Sequence, residues 1–317
     1  MNNKNDKIPI LAVIGPTASG KTALAIKLAQ KFNGEIISGD SMQVYKNMDI
    51  GTAKPTIEEQ SMAKHHLIDF IEPDKSFSVA DYVNLAHDCI KDIIIRNKIP
   101  IIAGGTGLYI NSLIDNIKFT ETESSPELRE QLRLRIEKEG IQSLLDELRQ
   151  FDPDSADTLH PNNKGRIIRA IEIYRLTGIT MTEHIKRSKL EGSPYNSCLI
   201  GLNFKNRQNL YDKINLRVDK MIEQGLIKEA QYVLQNIKSP TARQAIGYKE
   251  FIPYFSGDIT LDEAIDNLKM NTRRYAKRQL SWFHRDKRIN WLYWEDYKTD
   301  DELILHAENI AAEFLKN

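Results

Sequence analysis

Short apolar runs alternate with amphipathic stretches over the first third of the chain. IPILAVI at 8–14 is apolar throughout and rich in β-branched residues, which predicts a strand covered on both faces. From Lys21 to about Phe32, Leu24, Ile26, Leu28 and Ala29 leave an apolar side, which predicts a helix. EIIS at 35–38 predicts a second strand, HLIDF at 66–70 a third and IPIIA at 99–103 a fourth. Ser78 is placed to cap a long helix, in which Val79, Tyr82, Val83, Ala86 and Ile90 keep helical spacing. GLYINSLI, just after IPIIA, starts another helix. Strands that alternate with helices predict a parallel sheet covered on both faces.

The pattern changes after about residue 115. SSPELREQLRLRIEKEG, from Ser124, has Ser and Pro at a helix start and stops at Gly140. Helices at about 141–149 and 166–177 follow, the second closed by Gly178. Strand patterning returns at SCLIGLNF (197–204) and once more at INWLYW (289–294), with helices dominating between. The expected organisation is an α/β core built from 1–118 and 196–317, interrupted by an all-helical insertion domain at 119–195.

The first strand runs into GPTASGKT, residues 15–22, which fits G-x-x-x-x-G-K-[ST]. Gly15, Pro16, Thr17, Ala18, Ser19, Gly20, Lys21 and Thr22 form a loop whose backbone N–H groups can turn inward around phosphate at a positive helix end. Lys21 adds a charge, and the Thr22 hydroxyl can hold a Mg²⁺ bound to the same phosphates. The fold class expected is therefore α/β with a P-loop NTPase-like parallel sheet flanked by helices. Enzymes that split a terminal phosphate normally add an Asp at a second strand end to hold Mg²⁺. Here IPIIA ends in GGTGLY without a carboxylate, and no NKxD guanine-reading motif occurs. One carboxylate is well placed. Asp40, in EIISGDSMQ, follows the second strand at the edge where open α/β sheets bind ligands. It can be a turn cap, a Mg²⁺ ligand or a general base.

Composition and charge narrow the class. With 41% hydrophobic and 28% charged residues the chain is of ordinary soluble type, and 317 residues suggest two domains or one with an insertion. No stretch approaches the ~20 apolar residues of a membrane span, and MNNKNDK lacks the apolar core of a signal peptide. Two distant cysteines, Cys89 and Cys198, suggest neither a disulfide framework nor a zinc site, so a cytoplasmic location is expected. The net charge of +0 argues against nucleic acid until its distribution is considered. Residues 269–288 hold eight Lys or Arg against one Asp, interleaved with Tyr275, Trp282 and Phe283. Such a segment is either a solvated helix face over buried aromatics or an RNA-binding stripe. His65 and His66 resemble a metal pair, but adjacent strand residues face opposite sides and no third ligand is evident.

GPTASGKT, GDSMQVYKNMDIGTAKP, HHLIDF, AGGTGLYI, RIIRAIEIY, RVDKMIEQGL, QAIGYKE and NTRRYAKRQLSWF together resemble the tRNA dimethylallyltransferase family, over residues 15 to 284. The resemblance implies transfer of a dimethylallyl group from its diphosphate to N6 of the adenosine 3′ of the anticodon. The phosphate loop would then hold a leaving group. It also implies roles for residues. Asp40 would accept the N6 proton, with Ser41, Met42 and Gln43 touching the target nucleotide. Thr106 would lie near the reacting groups, although it can equally tidy a strand-to-helix turn. Arg217 lies about 70° from the centre of the apolar face Leu210, Ile214, Val218 and Met221, at ~100° per residue. A guanidinium there needs an anion, either a structural carboxylate or, by resemblance, the diphosphate. The same resemblance brings Gly165, Arg166, Ile167, Ile168 and Arg169 to the tRNA, with Arg243, Gln244, Gly247, Tyr248 and Lys249. The electrostatic candidates for RNA phosphates are Arg273, Arg274, Lys277 and Arg278. The implied cofactor is Mg²⁺. The implied partners are the anticodon stem-loop of tRNA and dimethylallyl diphosphate, with no membrane, for a protein expected to be monomeric. Eukaryotic members add a C-terminal zinc finger; none is found here, so a bacterial-type member is expected. Two rivals remain on sequence grounds: a small-molecule or nucleotide kinase, and a catalytically dead RNA-binding protein on the same scaffold.

Overall fold

The computed structural model describes residues 7–119, 125–188 and 191–316, so the polar leader 1–6 and Ser124 lie outside the described residues. Residues 1–114 with 194–317 make one compact unit, and 115–193 make a second.

The larger unit is built on six strands: β1 (Ile8–Ile14), β2 (Gly34–Ser38), β3 (His65–His66), β4 (Ile99–Gly104), β5 (Tyr195–Asn203) and β6 (Ile289–Tyr293). Their order is β3-β2-β4-β1-β5-β6, and every pairing is parallel. In the centre, Leu11 lies opposite Ile101 on one side and Cys198 on the other. The alternation along β1 sorts the core. Ile10, Ala12 and Ile14 pack with Tyr82, Ile90 and Leu113 on one face, while Leu11 and Val13 pack with Leu24, Leu28 and Leu303 on the other. Helices Val79–Ile95 and Gly107–Ile114 cover the first face; Lys21–Lys31 and Asp300–Lys316 cover the second. The chain leaves β1 for β2, two places away, and β4 later fills the gap. The carboxyl ends of β1, β2 and β4 thus converge where open α/β sheets bind ligands. Gly104 permits the closeness: a Cβ there would sit 2.3 Å from the Gly39 carbonyl oxygen.

One expected strand is shorter than its apolar pattern. HLIDF contributes only its first residue to β3, because Leu67 and Asp69 adopt left-handed φ values of 57° and 56°. The N–H groups of Phe70 and Ile71 then bond the Val44 carbonyl outside the sheet. Local backbone geometry overrode an apolar pattern.

Within β2 lies a buried carboxylate. Glu35, 1% exposed, accepts from Arg96 Nη2 at 2.8 Å and Lys98 Nζ at 2.9 Å, and lies 2.6 Å from His66 Nε2. Arg96 Nη1 adds a second bond, while His65 Nδ1 lies 2.8 Å from the Ala63 carbonyl. The histidine pair is thus structural, and no metal-binding cluster occurs among the described residues. Burial alone would raise the Glu35 carboxyl, but its bonds to Arg96, Lys98 and His66 outweigh it and hold the group far below the usual 4.5. A depressed carboxyl stabilises the fold above its unfolded value and loses that contribution as pH falls through the folded one. Glu35→Gln should cost about 1.5–3 kcal/mol at pH 7, the scale of hydrogen bonds to charged groups. Stranded cations that reach water keep the cost below that of a fully buried charge. Urea unfolding should show the gap between wild type and variant shrinking as pH falls below 4.5; a gap that is constant with pH would contradict the assignment.

The second unit is helical throughout its regular elements: Pro126–Glu139, Ile141–Phe151, Pro153–Thr158, Lys164–Thr177 and Met181–Ser188. Leu132, Leu144, Leu148, Ile167 and Ile171 fill its core. Glu172, fully buried, accepts from Ser125 N–H, Arg129 and Arg169 at 2.6–2.9 Å. Three residues expected at the tRNA have partners within this unit. The Ile167 and Ile168 side chains are buried in its core, and Arg169 is paired with Glu172. Gly165 and Arg166 are exposed at the start of their helix. Among the described residues no helix is long and apolar enough to cross a membrane.

Candidate active site

The phosphate loop leaves β1 and enters helix Lys21–Lys31 through a run of unusual dihedrals. Gly15, Ala18 and Gly20 take φ values of 147°, 62° and 90°. Reversals of this kind gather successive N–H groups into an anion-binding concavity. Gly20 is further constrained, since a Cβ would lie 2.9 Å from the Trp294 ring, whose Nε1 donates to the Ser19 carbonyl at 2.9 Å. The Ser19 hydroxyl is buried without a protein partner.

Beside the loop is a cavity of about 380 Å³. Its walls include Thr17, Lys21 and Thr22 from the loop, Asp40 through Gln43 from the turn after β2, and Gly104 and Gly105 after β4. Helix Arg207–Glu223 adds Ile214, Arg217, Val218 and Met221, and helix Leu261–Phe283 adds Tyr275, Arg278 and Gln279. Asp40 is the one carboxylate among the lining residues.

Charges in this cavity are unevenly matched. Lys21 Nζ bonds the Pro16 carbonyl, and burial, with Arg217 beside it, lowers its ammonium to about 7 against the partial opposition of Asp40. Arg217 Nη1 donates to Thr17 Oγ1 at 3.3 Å and makes no ion pair among the described residues; burial lowers its guanidinium as well. Asp40 and Glu59 act on Arg217 only through space, without a direct ion pair. Asp40 Oδ1 accepts from the N–H groups of Met42 (2.8 Å) and Gln43 (3.4 Å), which caps the turn. Burial nevertheless pushes its carboxyl above the usual 3.8, against those bonds and the nearby Lys21 and Arg217. Two recessed cations facing one carboxylate favour an added anion.

The remaining expected residues divide by what they touch. Thr106 Oγ1 accepts from Ser41 N–H at 3.1 Å, so it ties the Asp40 turn to the end of β4. Gln43 donates to the Ala53 carbonyl at 3.0 Å and accepts from Ser38 Oγ at 3.1 Å, which holds the 50–53 loop over the cavity. Gln244, Gly247 and Lys249 line the cavity, and Arg243 is exposed outside it. The Tyr248 side chain is fully buried, and its hydroxyl donates to Glu229 at 2.9 Å. Glu229 in turn accepts the N–H groups of Asp49, Ile50 and Gly51 at 2.8–3.0 Å. Arg273 likewise turns inward, donating to Asn215 at 2.7 Å over the Tyr211 ring. Arg274, Lys277 and Arg278 are exposed, with Arg278 also at the cavity wall.

Several site-building residues carried no local signal. Gln279, Glu229 and Trp294 act across 170 residues or more at the phosphate loop, the β4 end and the 49–51 turn. One shorter feature was readable: Thr56 and Glu59 form a capping box opening helix Ile57–Met62.

Comparison with known proteins agrees with this architecture. Residues 43–286 match the family model described as IPP transferase. A tRNA dimethylallyltransferase of Caldanaerobacter subterraneus is 48% identical over 306 residues, 96% of either chain. That of Bacillus subtilis is 48% identical over 288 residues, 90% of this chain and 91% of its own. The crystal structure of tRNA isopentenylpyrophosphate transferase from Bacillus halodurans superposes with a TM-score of 0.73 at 45% identity, covering 98% of this chain and 97% of that one. A eukaryotic dimethylallyltransferase acting on tRNA gives 0.80 at 29% identity, over 96% and 80% of the two chains. On the sheet order, the phosphate loop and these near full-length matches, the chain belongs to the IPP transferase family.

Proposed function

We infer that this chain transfers a dimethylallyl group from dimethylallyl diphosphate to N6 of the adenosine 3′ of the anticodon in tRNA, releasing diphosphate. The observation that carries the reading of the site is the pairing of two unmatched cations, Lys21 and Arg217, with a single carboxylate across one cavity.

The chemistry needs this asymmetry. Transfer breaks the bond between the allylic carbon and the diphosphate oxygen, and it forms a bond from that carbon to N6. Negative charge grows on the departing diphosphate, which loop N–H groups, Lys21 and Arg217 would stabilise. N6 loses a proton as the new bond forms, and Asp40, whose tendency to hold a proton burial raises against Lys21 and Arg217, accepts it. The buried Ser19 hydroxyl and Thr22 on the cavity wall fit a Mg²⁺–diphosphate ligand, with Thr22 holding the ion. Bound there, Mg²⁺ would neutralise diphosphate charge. Thr106 keeps Ser41, and with it the Asp40 turn, in place. A kinase would be expected to bring a second carboxylate for its metal; Asp40 is the one carboxylate lining this cavity, while Asp49, Glu59 and Asp69 line a neighbouring cavity beside the same loop.

Arg166, Arg243, Arg274, Lys277 and Arg278 are exposed and available to tRNA phosphates. Phosphate contacts release condensed counterions, at about 0.7–0.9 in log affinity per contact. Arg274→Ala/Lys277→Ala should therefore flatten the salt dependence of tRNA binding by roughly one to two units. It should weaken different tRNAs alike, because phosphates carry no sequence. Single-turnover chemistry at saturating tRNA should persist. An unchanged slope with lost chemistry would move these residues from RNA grip to active site. The activity itself is tested with Mg²⁺, labelled dimethylallyl diphosphate and unmodified tRNA: label in adenosine after digestion supports it, and label transfer that depends on ATP hydrolysis opposes it.

A further inference from the structure

The Gln279 side chain is buried between the two halves of the site. Its Oε1 accepts from the Thr17 N–H at 2.8 Å, and its Nε2 donates to the Gly105 carbonyl at 3.0 Å. These roles are fixed by their partners, since a backbone N–H only donates and a carbonyl only accepts. The fit is tight: a Cβ on Gly105 would lie 2.1 Å from Nε2. Thr17 is committed on both sides, its N–H to Gln279 and its hydroxyl to Arg217. Gln279 thereby orients the residue that meets the Arg217 guanidinium, and joins the phosphate loop to the segment after β4 that precedes Thr106.

We propose that Gln279 is a positioning residue for the phosphate loop, holding Thr17 so that Arg217 and the loop present a preformed diphosphate site. The proposal rests on the diphosphate reading above and adds the residue that sets its geometry. Gln279 reaches no reacting atom; it acts through Thr17.

Replacement by glutamate gives a specific test. A neutral carboxylic acid reproduces both bonds, accepting from Thr17 through its carbonyl oxygen and donating to Gly105 through its hydroxyl. The ionised form accepts from Thr17, but turns a bare oxygen toward the Gly105 carbonyl and adds negative charge beside the anion site. The titratable and charged groups facing this cavity, Lys21, Asp40, Arg217, Lys249, Tyr275 and Arg278, are present in wild type and variant. The variant-to-wild-type ratio at each pH therefore isolates the new carboxyl.

Affinity for inorganic diphosphate with Mg²⁺ should be measured by calorimetry from pH 5.5 to 8.5 for wild type, Gln279→Glu and Gln279→Met. Gln279→Glu should stay within about threefold of wild type at pH 5.5 and fall at least tenfold behind at pH 8.5, as an added negative charge beside the anion site and the lost hydrogen bond to the Gly105 carbonyl require. Gln279→Met, which can make neither bond, should lag by a similar factor at every pH. Circular dichroism and tRNA affinity should remain those of wild type in both variants. A pH-independent ratio for Gln279→Glu, wild-type affinity in Gln279→Met, or loss of affinity only in step with unfolding would overturn the proposal. Wild-type protein that does not bind diphosphate would instead overturn the reading on which it rests.

Discussion

Asp40→Asn should lower kcat by on the order of 10²–10⁴, the range for loss of a general base, with tRNA affinity nearly unchanged. The expectation rests on the two uses of one side chain. Oδ1 accepts from Met42 and Gln43 and fixes the turn, a task an amide oxygen performs equally. The amide cannot take a proton from N6. Because the turn keeps its bonds, the Asn variant should fold and bind as wild type does, and the deficit should appear in kcat. Burial pushes the Asp40 carboxyl above the usual 3.8, so the acid limb of the wild-type profile should lie at higher pH than for an ordinary aspartate. Single-turnover transfer with pre-bound tRNA gives the measurement. Wild-type turnover in Asp40→Asn would mean that the proton goes elsewhere.

Lys21→Ala should reduce kcat/KM for dimethylallyl diphosphate by on the order of 10²–10³, the cost of removing one oriented donor from developing negative charge. The pH profile separates this charge role from a merely structural one. In the free protein the Lys21 ammonium is lowered to about 7 by burial and Arg217, and its charged form is the one that attracts diphosphate. Raising the pH through 7 should therefore depress kcat/KM, by at most tenfold per unit. Bound diphosphate favours the charged lysine, so in kcat the same limb should move to higher pH. Binding near pH 8 should take up protons, which calorimetry in buffers of differing ionisation enthalpy detects. The limb near 7 should vanish in Lys21→Ala; its persistence there would assign it to another group.

What the sequence made legible follows from how local each signal was. The phosphate loop is contiguous, and its flanking strand and helix announce themselves by period, so Gly15 to Thr22 could be placed unaided. Asp40 was readable because it directly follows a strand, and Arg217 because it stands off-centre on a clear apolar face. Residues 269–288 showed their charge but not its direction. Arg273 turns inward to Asn215, and Lys269 pairs with Asp219, while Arg274 and Lys277 remain exposed. Tyr248 lies among residues that line the cavity, yet its ring is in the core and its hydroxyl on Glu229. A motif identifies such a segment without saying which way each side chain points. Gln279 was invisible for a different reason. Its partners Thr17 and Gly105 lie 262 and 174 residues away, and a glutamine on a mixed helix has no periodic signature. Contacts of that range exist only once the sheet order has brought β1, β4 and helix Leu261–Phe283 together.

The central claim is that the phosphate loop holds a leaving group for prenyl transfer to tRNA. It is tested most directly in one single-turnover reaction containing the protein, Mg²⁺, dimethylallyl diphosphate and unmodified tRNA, with no nucleoside triphosphate. Diphosphate released and N6-dimethylallyl adenosine formed are counted in the same sample. The account predicts one diphosphate for each modified adenosine, at the full rate and unaffected by added ATP. Release without modification, or modification only when a nucleoside triphosphate is hydrolysed, would contradict it.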